Sequence, residues 1–286
     1  MGSHAVEAFL NAGHEVTAIY RNKPPRDDLP WDFQTTDLSA PEAREVIQAI
    51  GANVVIHCAA LLPKHFKGEK VLQIAEINRQ IDEQVVRYCR LNKIRLVYIS
   101  SSSIYGIHGW PWSEESVPAP RGPYLKEKYE TEIKIQESLR NYAILRCSSP
   151  YARSQRTNTV LSIFIKRAME GKNLYYHGSG RRRQDFIAAK DAANAIIKAA
   201  LAEKIRGTFN MASGESVSMY DLAQIVLKNV KGSLSKVLPS GKIDTNEDYR
   251  GVFDIEKART ILGWRPLVKL EDGIRQWIRE LENEEC

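Results

Sequence analysis

Short apolar runs alternate through the first half of this chain with segments whose apolar residues recur at helical intervals. Residues 54–58 (VVIHC) and 96–100 (LVYIS) read as strands buried on both faces, and residues 16–20 form a shorter β-prone stretch. Between them, residues 41–50 have helical spacing with Ser39 as a cap, and residues 71–91 carry Ile74, Ile77, Ile81, Val85 and Tyr88 on one helical stripe. A further helix over 123–140 leads to a strand at 142–146. This alternation predicts an α/β fold: a doubly wound parallel sheet with helices on both faces.

Beyond Cys147 the pattern changes to a helix near 159–170, a short strand at 174–177, a basic turn at 178–183, a helix over 190–202 and a strand at Gly207–Met211. Helices are predicted again over 219–230, 255–262 and 270–281, and no repeat or low-complexity tract interrupts them. The expected organisation is a nucleotide-binding domain over 1–150, to which 187–212 return, and a smaller interleaved substrate lobe built from 151–186 and 213–286.

Composition narrows the class only a little. Lys and Arg outnumber Asp and Glu by 41 to 35, a net charge of +6 that suits anionic ligands such as nucleotides. Cys58, Cys89, Cys147 and Cys286 lack both a C-x-x-C pair and the density of a secreted disulfide scaffold, so reduced thiols and a cytoplasmic setting are expected. Neither a secretory leader nor an apolar run of the roughly 18 residues that a membrane span needs is visible, so no membrane partner is expected.

The chemistry concentrates at 100–106 (SSSSIYG), where a predicted strand ends, and at Tyr124 and Lys128 on the next helix. Residues four apart share a helical face, which brings the Lys128 ammonium beside the Tyr124 phenol. A neighbouring cation lowers a phenol from its ordinary pKa of about 10 and makes it a general base for a sugar hydroxyl. A serine hydroxyl at the strand's carboxyl end can hold the same oxygen, in the crevice where open α/β sheets bind ligands. Tyr-x-x-x-Lys alone is commonly a solvated pair; its position after the serine-rich strand end gives it the catalytic reading.

The pairing of Ser-Ser-x-x-hydrophobic-Tyr-Gly with Pro-Tyr-x-x-x-Lys resembles the active site of the extended short-chain dehydrogenases/reductases, the NAD(P)-dependent epimerases and dehydratases of nucleotide-linked sugars. Other landmarks follow in that family's order, from Gly2 through Asp37-Leu38, 55–60 (VIHCAA), Asn78, 184–187 (QDFI), Lys190-Asp191 and 210–214 to 254–258 and Leu262-Gly263-Trp264, so the likeness spans essentially the whole chain.

The resemblance implies roles residue by residue. Tyr124 is the acid/base, Lys128 its electrostatic partner and ribose ligand, and Ser101 the hydroxyl that holds the substrate oxygen. Gly2, Asp37, Leu38, Ala59, Ala60, Leu61, Asn78 and Ser100 fall on cofactor positions. The acidic residue that NAD enzymes carry at the end of the second strand is replaced here by Tyr20 and Arg21, a slight lean to NADP because a guanidinium suits a 2′-phosphate. Asp37 has an equally good reading as a helix cap. On the substrate side stand Ser102, Ser103, Ser149, Arg183, Gln184 and Arg250, with Arg181 and Arg182 as further diphosphate candidates. Ser149 replaces a familiar Asn and Gln184 a familiar Arg. Ser102-Ser103 replace the Asp-Glu pair of the dehydratases, which favours epimerisation or ketone reduction.

Relatives open with a strand and a Gly-x-x-Gly-x-x-Gly turn that approaches the cofactor pyrophosphate. This sequence starts at the equivalent of the third glycine. A start placed too late, an authentic short form, or another segment filling the gap would each account for that, the first being the leading expectation. The expected activity is epimerase or reductase chemistry on a nucleotide-linked sugar, in a homodimer paired through the helices at 71–91 and 123–140. A non-catalytic scaffold for RNA or protein is the alternative; the intact Ser101, Tyr124 and Lys128 set argues against it and against a nucleic-acid partner.

Overall fold

The computed structural model describes residues 1–22, 24, 29–63, 69–155 and 158–283; Cys286 lies outside them. The first half runs α1 (Gly2–Asn11), β1 (Thr17–Tyr20), β2 (Asp32–Thr35), α2 (Ala43–Ile50), β3 (Val54–His57), α3 (Glu69–Asn92), β4 (Arg95–Ser101), a 3-10 turn (Ser102–Tyr105), α4 (Pro123–Ser138) and β5 (Tyr142–Cys147). The second half adds β6 (Ser149–Tyr151), α5 (Val160–Met169), β7 (Leu174–Tyr176), β8 (Arg183–Ala188), α6 (Ala189–Leu201), β9 (Gly207–Met211), β10 (Ser216–Ser218), α7 (Met219–Asn229), β11 (Val237–Pro239), α8 (Glu256–Ile261) and α9 (Leu270–Glu282).

Strands β3, β4, β5 and β9 form one sheet in that order, every pair parallel. Ser101 registers with Cys147 and Cys147 with Met211, so the carboxyl ends lie level and form one rim. Central strands β4 and β5 are buried almost throughout, as their continuous apolar runs require. Helices α1 and α6 cover one face, where Ala5, Ile196 and Ala199 join Val97, Leu145 and Phe209 in one apolar cluster. On the other face α3 and α4 pack on each other, and Val85, Cys89 and Ile135 meet Leu96, Tyr98 and Ile144. This is the Rossmann-type α/β architecture that the alternation predicts.

Strands β1 and β2 pair parallel in a separate two-stranded sheet. Strand β3 pairs only with β4 among the described residues, and β1 and β3 are mostly half-buried where β4 and β5 are sealed. The second half builds a three-stranded sheet in the order β10-β8-β6 and a parallel β7-β11 pair. Around these, Leu161, Phe164, Leu222, Val226, Ile274 and Trp277 form a second apolar cluster, contributed by α5, α7 and α9.

Candidate functional site

The candidate catalytic residues gather along the carboxyl rim of the β3-β4-β5-β9 sheet. At the end of β4, Ser101 has extended backbone and its hydroxyl accepts the Ser103 amide at 3.2 Å, capping the 3-10 turn. A hydroxyl that accepts in this way keeps its own proton free to donate. Ser102 is buried against Tyr249, Ser103 is exposed, and Ser100 Oγ is buried without a hydrogen-bond partner. Helix α4, started by Gly122 and by Pro123 in its first turn, packs on β4 and on this turn, which brings half-buried Tyr124 to the same rim.

Lys128 is only 3% exposed and reaches inward. Its ammonium donates to the Tyr98 hydroxyl at 2.8 Å and stands 3.6 Å from Asp82 Oδ2, and no hydrogen bond joins it to Tyr124. The expectation that Lys128 lowers the Tyr124 pKa is therefore corrected. Burial, followed by the charges of Glu127 and Asp82, raises the phenol above its ordinary value. The reason is electrostatic: an ammonium paired with a buried carboxylate projects little net charge on a third group. His57, Asp82, Tyr98 and Glu127, which surround Lys128, were not anticipated as site residues. The signal was available in sequence: His57 closes an otherwise apolar strand, and Asp82 sits beside Ile81 and Val85 on the buried stripe of α3.

Around the proposed adenosine end, Tyr20 and Arg21 lie at the end of β1. Arg21 Nε donates to Asp37 at 3.0 Å, and Asp37 also accepts the Ser39 amide at 2.9 Å and hydroxyl at 2.7 Å. These contacts hold the Asp37 carboxyl below its usual range, the Ser39 hydroxyl and amide contributing most. Asp37 thus fixes a local turn and faces Arg21, and neither it nor Ser39 caps a helix, because α2 starts after Glu42 without a side-chain cap. Gln84 holds the neighbouring segment through the carbonyls of Leu38 and Ala40, at 3.3 and 2.6 Å. After β3, Ala59, Ala60 and Leu61 form the rim, and buried Asn78 clamps the Leu61 peptide by accepting its N–H at 2.7 Å and donating to its carbonyl at 2.9 Å. Asn78 therefore shapes this segment from beneath. An added Cβ at Gly2 would meet Cys58 at an ordinary 3.9 Å, so its site in α1 does not demand glycine.

The substrate-side candidates are largely engaged with one another. Gln184 donates to Ser149, linking two neighbouring strands, and accepts from Arg182 at 3.3 Å. Arg183 is tied to Ser216 across the β8-β10 pair, Arg182 to Asp244 at 2.8 Å, and Arg181 to Ser179 at 3.0 Å. Arg250 donates to the carbonyls of Glu247 and Tyr249, at 2.7 and 3.3 Å. Each guanidinium of the basic turn thus already has a partner, Arg181 within the turn and Arg182 and Arg183 on distant segments. Asp185 anchors the base of this region by accepting from the Ser148 hydroxyl at 2.6 Å and from the Ser213 amide at 2.9 Å. Burial raises its carboxyl to about 6 against these hydrogen bonds.

Residues 1–212 match the NAD-dependent epimerase/dehydratase family. The chain belongs to that family. It is 26% identical over 313 residues to the UDP-N-acetyl-alpha-D-glucosaminuronate decarboxylase of Bacillus cytotoxicus, covering 99% of this chain and 96% of the relative. Among solved structures, the UDP-glucose 4-epimerase of Thermotoga maritima with UDP-glucose superposes with a TM-score of 0.87 at 20% identity, over 100% of this chain and 96% of that one. The Thermus thermophilus UDP-glucose 4-epimerase in complex with NAD gives 0.84 at 24% identity, over 98% and 95%. At these identities the structural likenesses speak to the fold.

The epimerase/dehydratase rim suits the family's NAD. The Ser100 hydroxyl, buried and unpartnered at the carboxyl end of β4, is an orphan that a bound cofactor group can satisfy. The first turn of α1 has neither a side-chain cap nor an acidic residue, leaving its amides compatible with an anion. Residues 59–61 and Tyr124 would continue the line of groups along the cofactor, whereas Lys128 is buried below and bonded to Tyr98. Among the described residues no group of His, Cys, Asp and Glu is arranged to bind a metal, and no helix is long and apolar enough to cross a membrane.

Proposed function

We propose that this chain is an NAD-dependent epimerase or reductase of a nucleotide-linked sugar, with Tyr124 as its acid/base. The observation that carries the reading is half-buried Tyr124 at the start of α4, a helix packed on the serine-rich turn after β4, with a buried lysine one helical turn behind it. A lysine in the core is costly unless it is paired, and surface packing does not explain it.

The nicotinamide, when bound, supplies the hydride acceptor and donor. In its phenolate form Tyr124 takes the proton of a sugar hydroxyl as hydride leaves the same carbon, and the resulting phenol returns that proton when the ketone is reduced. Ser101 donates its free hydroxyl proton to the substrate oxygen and holds it against the phenol. Lys128 lies buried below, held by Tyr98 and Asp82. The decarboxylase and epimerase relatives named above, whose names carry UDP-linked sugars, support the nucleotide-sugar class. Ser102 and Ser103, in place of an acid pair, favour epimerisation or reduction over loss of water. Ser149, Gln184, Arg183 and Arg250 are the side chains nearest to a role in holding the nucleotide sugar, after exchange of their present partners.

NAD rather than NADP is the proposed cofactor. The Arg21 guanidinium is committed to Asp37, and a 2′-phosphate placed there would face that carboxylate. A homodimer formed through α3 and α4 is proposed too. These helices border a groove of about 410 Å³ edged by Leu72, Ala75 and Pro123, and Leu72 is 60% exposed. The test of the proposed reaction is incubation with NAD and a panel of UDP- and dTDP-linked hexoses, scored for C4 epimers and for reduced or oxidised sugars. Turnover of a nucleotide sugar supports the reading, and silence across the panel with NAD and NADP contradicts it.

A further inference from the structure

Three groups converge on Asp82, a carboxylate on the inner face of α3 that is 1% exposed. His57 Nε2 lies 2.6 Å from Oδ1, the Tyr98 hydroxyl donates to Oδ2 at 2.6 Å, and Lys128 Nζ stands 3.6 Å from Oδ2. Tyr98 bridges the two charges, because the same phenolic oxygen accepts from Lys128 at 2.8 Å. A second carboxyl, Glu127, joins from α4. Thr131 donates to its Oε1 at 2.9 Å, whereas Oε2 is buried with no partner while both acids are ionised. A proton on Oε2 resolves this, because Asp82 is then its acceptor. Burial and the Asp82 charge raise Glu127 to about 8, consistent with one proton held between the pair.

We propose that Asp82 is a positioning residue of the Tyr124 site: together with Tyr98 it holds the Lys128 ammonium inward and so withholds from the Tyr124 phenol the cation one helical turn away, with Glu127 as a second carboxyl of the cluster. The proposal rests on the catalytic reading only for the use made of that phenol; the placing of Lys128 stands on the distances within the cluster. Asp82 draws the cation inward, Tyr98 fixes its distance, and Glu127 adds a second negative charge once its proton is lost.

The titratable groups facing this cluster are His57 from β3, Cys58 just after it, Tyr98 from β4 and Tyr124 from α4 itself. Glu127 also borders the α3-α4 groove, where Glu76, Arg79, Lys126 and Glu130 stand. Glu132 is elsewhere engaged, paired with Arg146 at 2.7 Å. Arg79 pairs with Glu76 and Glu83 at the surface, and Lys134 with Glu83. The acids whose charges act on Tyr124 are Glu127 and Asp82.

The test is an alkaline phenolate absorbance titration of the full chain, with the same protein carrying Tyr124→Phe subtracted, so that Tyr124 alone is read and no substrate is needed. Asp82→Asn is expected to lower the Tyr124 titration by about one pH unit or more. Glu127→Gln, whose amide can still donate to Asp82, is expected to shift it in the same direction by less. Glu130→Gln, an exposed charge on the same helix, leaves it in place. An unchanged Tyr124 titration in both folded variants overturns the proposal. If Asp82→Asn fails to fold by circular dichroism, Glu127→Gln decides alone. The low-pH limb of kcat/KM on a responsive sugar moves with the phenol. A phenol that shifts while this limb stays fixed supports the charge coupling and removes Tyr124 from catalysis.

Discussion

Lys128 gives its hydrogen bond to Tyr98 at 2.8 Å, and its neighbour one turn back on α4, Tyr124, receives none. Spacing along a helix fixes which residues are neighbours, but not which of several neighbours a flexible side chain chooses. A buried carboxylate 3.6 Å away attracts an ammonium far more strongly than a neutral phenol does, so the lysine follows Asp82. The ligand-free site therefore stores its cation just below the rim.

This pairing has a cost when one member is removed. Lys128→Met leaves Asp82 buried without its cation and is expected to lower stability by about 3–5 kcal/mol. Adding Asp82→Asn to Lys128→Met is expected to return part of that loss. Urea unfolding of the two single variants and the double variant measures the coupling, and strictly additive losses would contradict a direct interaction.

Glu127 gives stability a pH dependence of known sign. Its carboxyl titrates near 8 in the folded chain and near 4.3 when unfolded. Between those values the folded chain holds a proton that the unfolded chain has lost, so stability from this group is fully present below about pH 4, is lost as pH rises and levels off above about 8. Glu127→Gln removes this slope. Urea midpoints between pH 5 and pH 9 should fall less steeply for the variant than for the native chain; parallel profiles would contradict the assignment.

Cofactor choice turns on the Arg21 and Asp37 pair. Asp37→Ala frees the guanidinium and is expected to raise affinity for NADP relative to NAD, while the native chain binds NAD more tightly. Fluorescence titrations of both cofactors against both proteins measure this. A native preference for NADP, or a ratio unmoved by the substitution, contradicts the reading of that pair.

Much of the fold was legible because buried parallel strands and amphipathic helices write strong periodic signals. Strands β3, β4, β5 and β9 and the helices α3 and α4 appear within two residues of their expected bounds. Strand β2 was not legible: its sequence, DFQT, has one apolar residue and lies largely exposed, so no alternation marks it. Strands β6, β10 and β11 are three residues each, too short for any period to show. Strand β8 was hidden because its start, Arg183, reads as the end of a basic turn. At the site, Ser101, Tyr124 and Lys128 were recognisable by type and spacing. The role of Tyr98 was not, because a tyrosine in an apolar strand looks like core, and only tertiary packing brings α3 and β4 together around its hydroxyl.

The most direct test of the central claim is the turnover of Tyr124→Phe beside the native chain, on whichever UDP- or dTDP-linked hexose the native chain converts with NAD. With the acid/base hydroxyl removed, the account predicts a loss of about 10²-fold to 10⁴-fold in kcat with unchanged circular dichroism. Native-like turnover by the phenylalanine variant would contradict it.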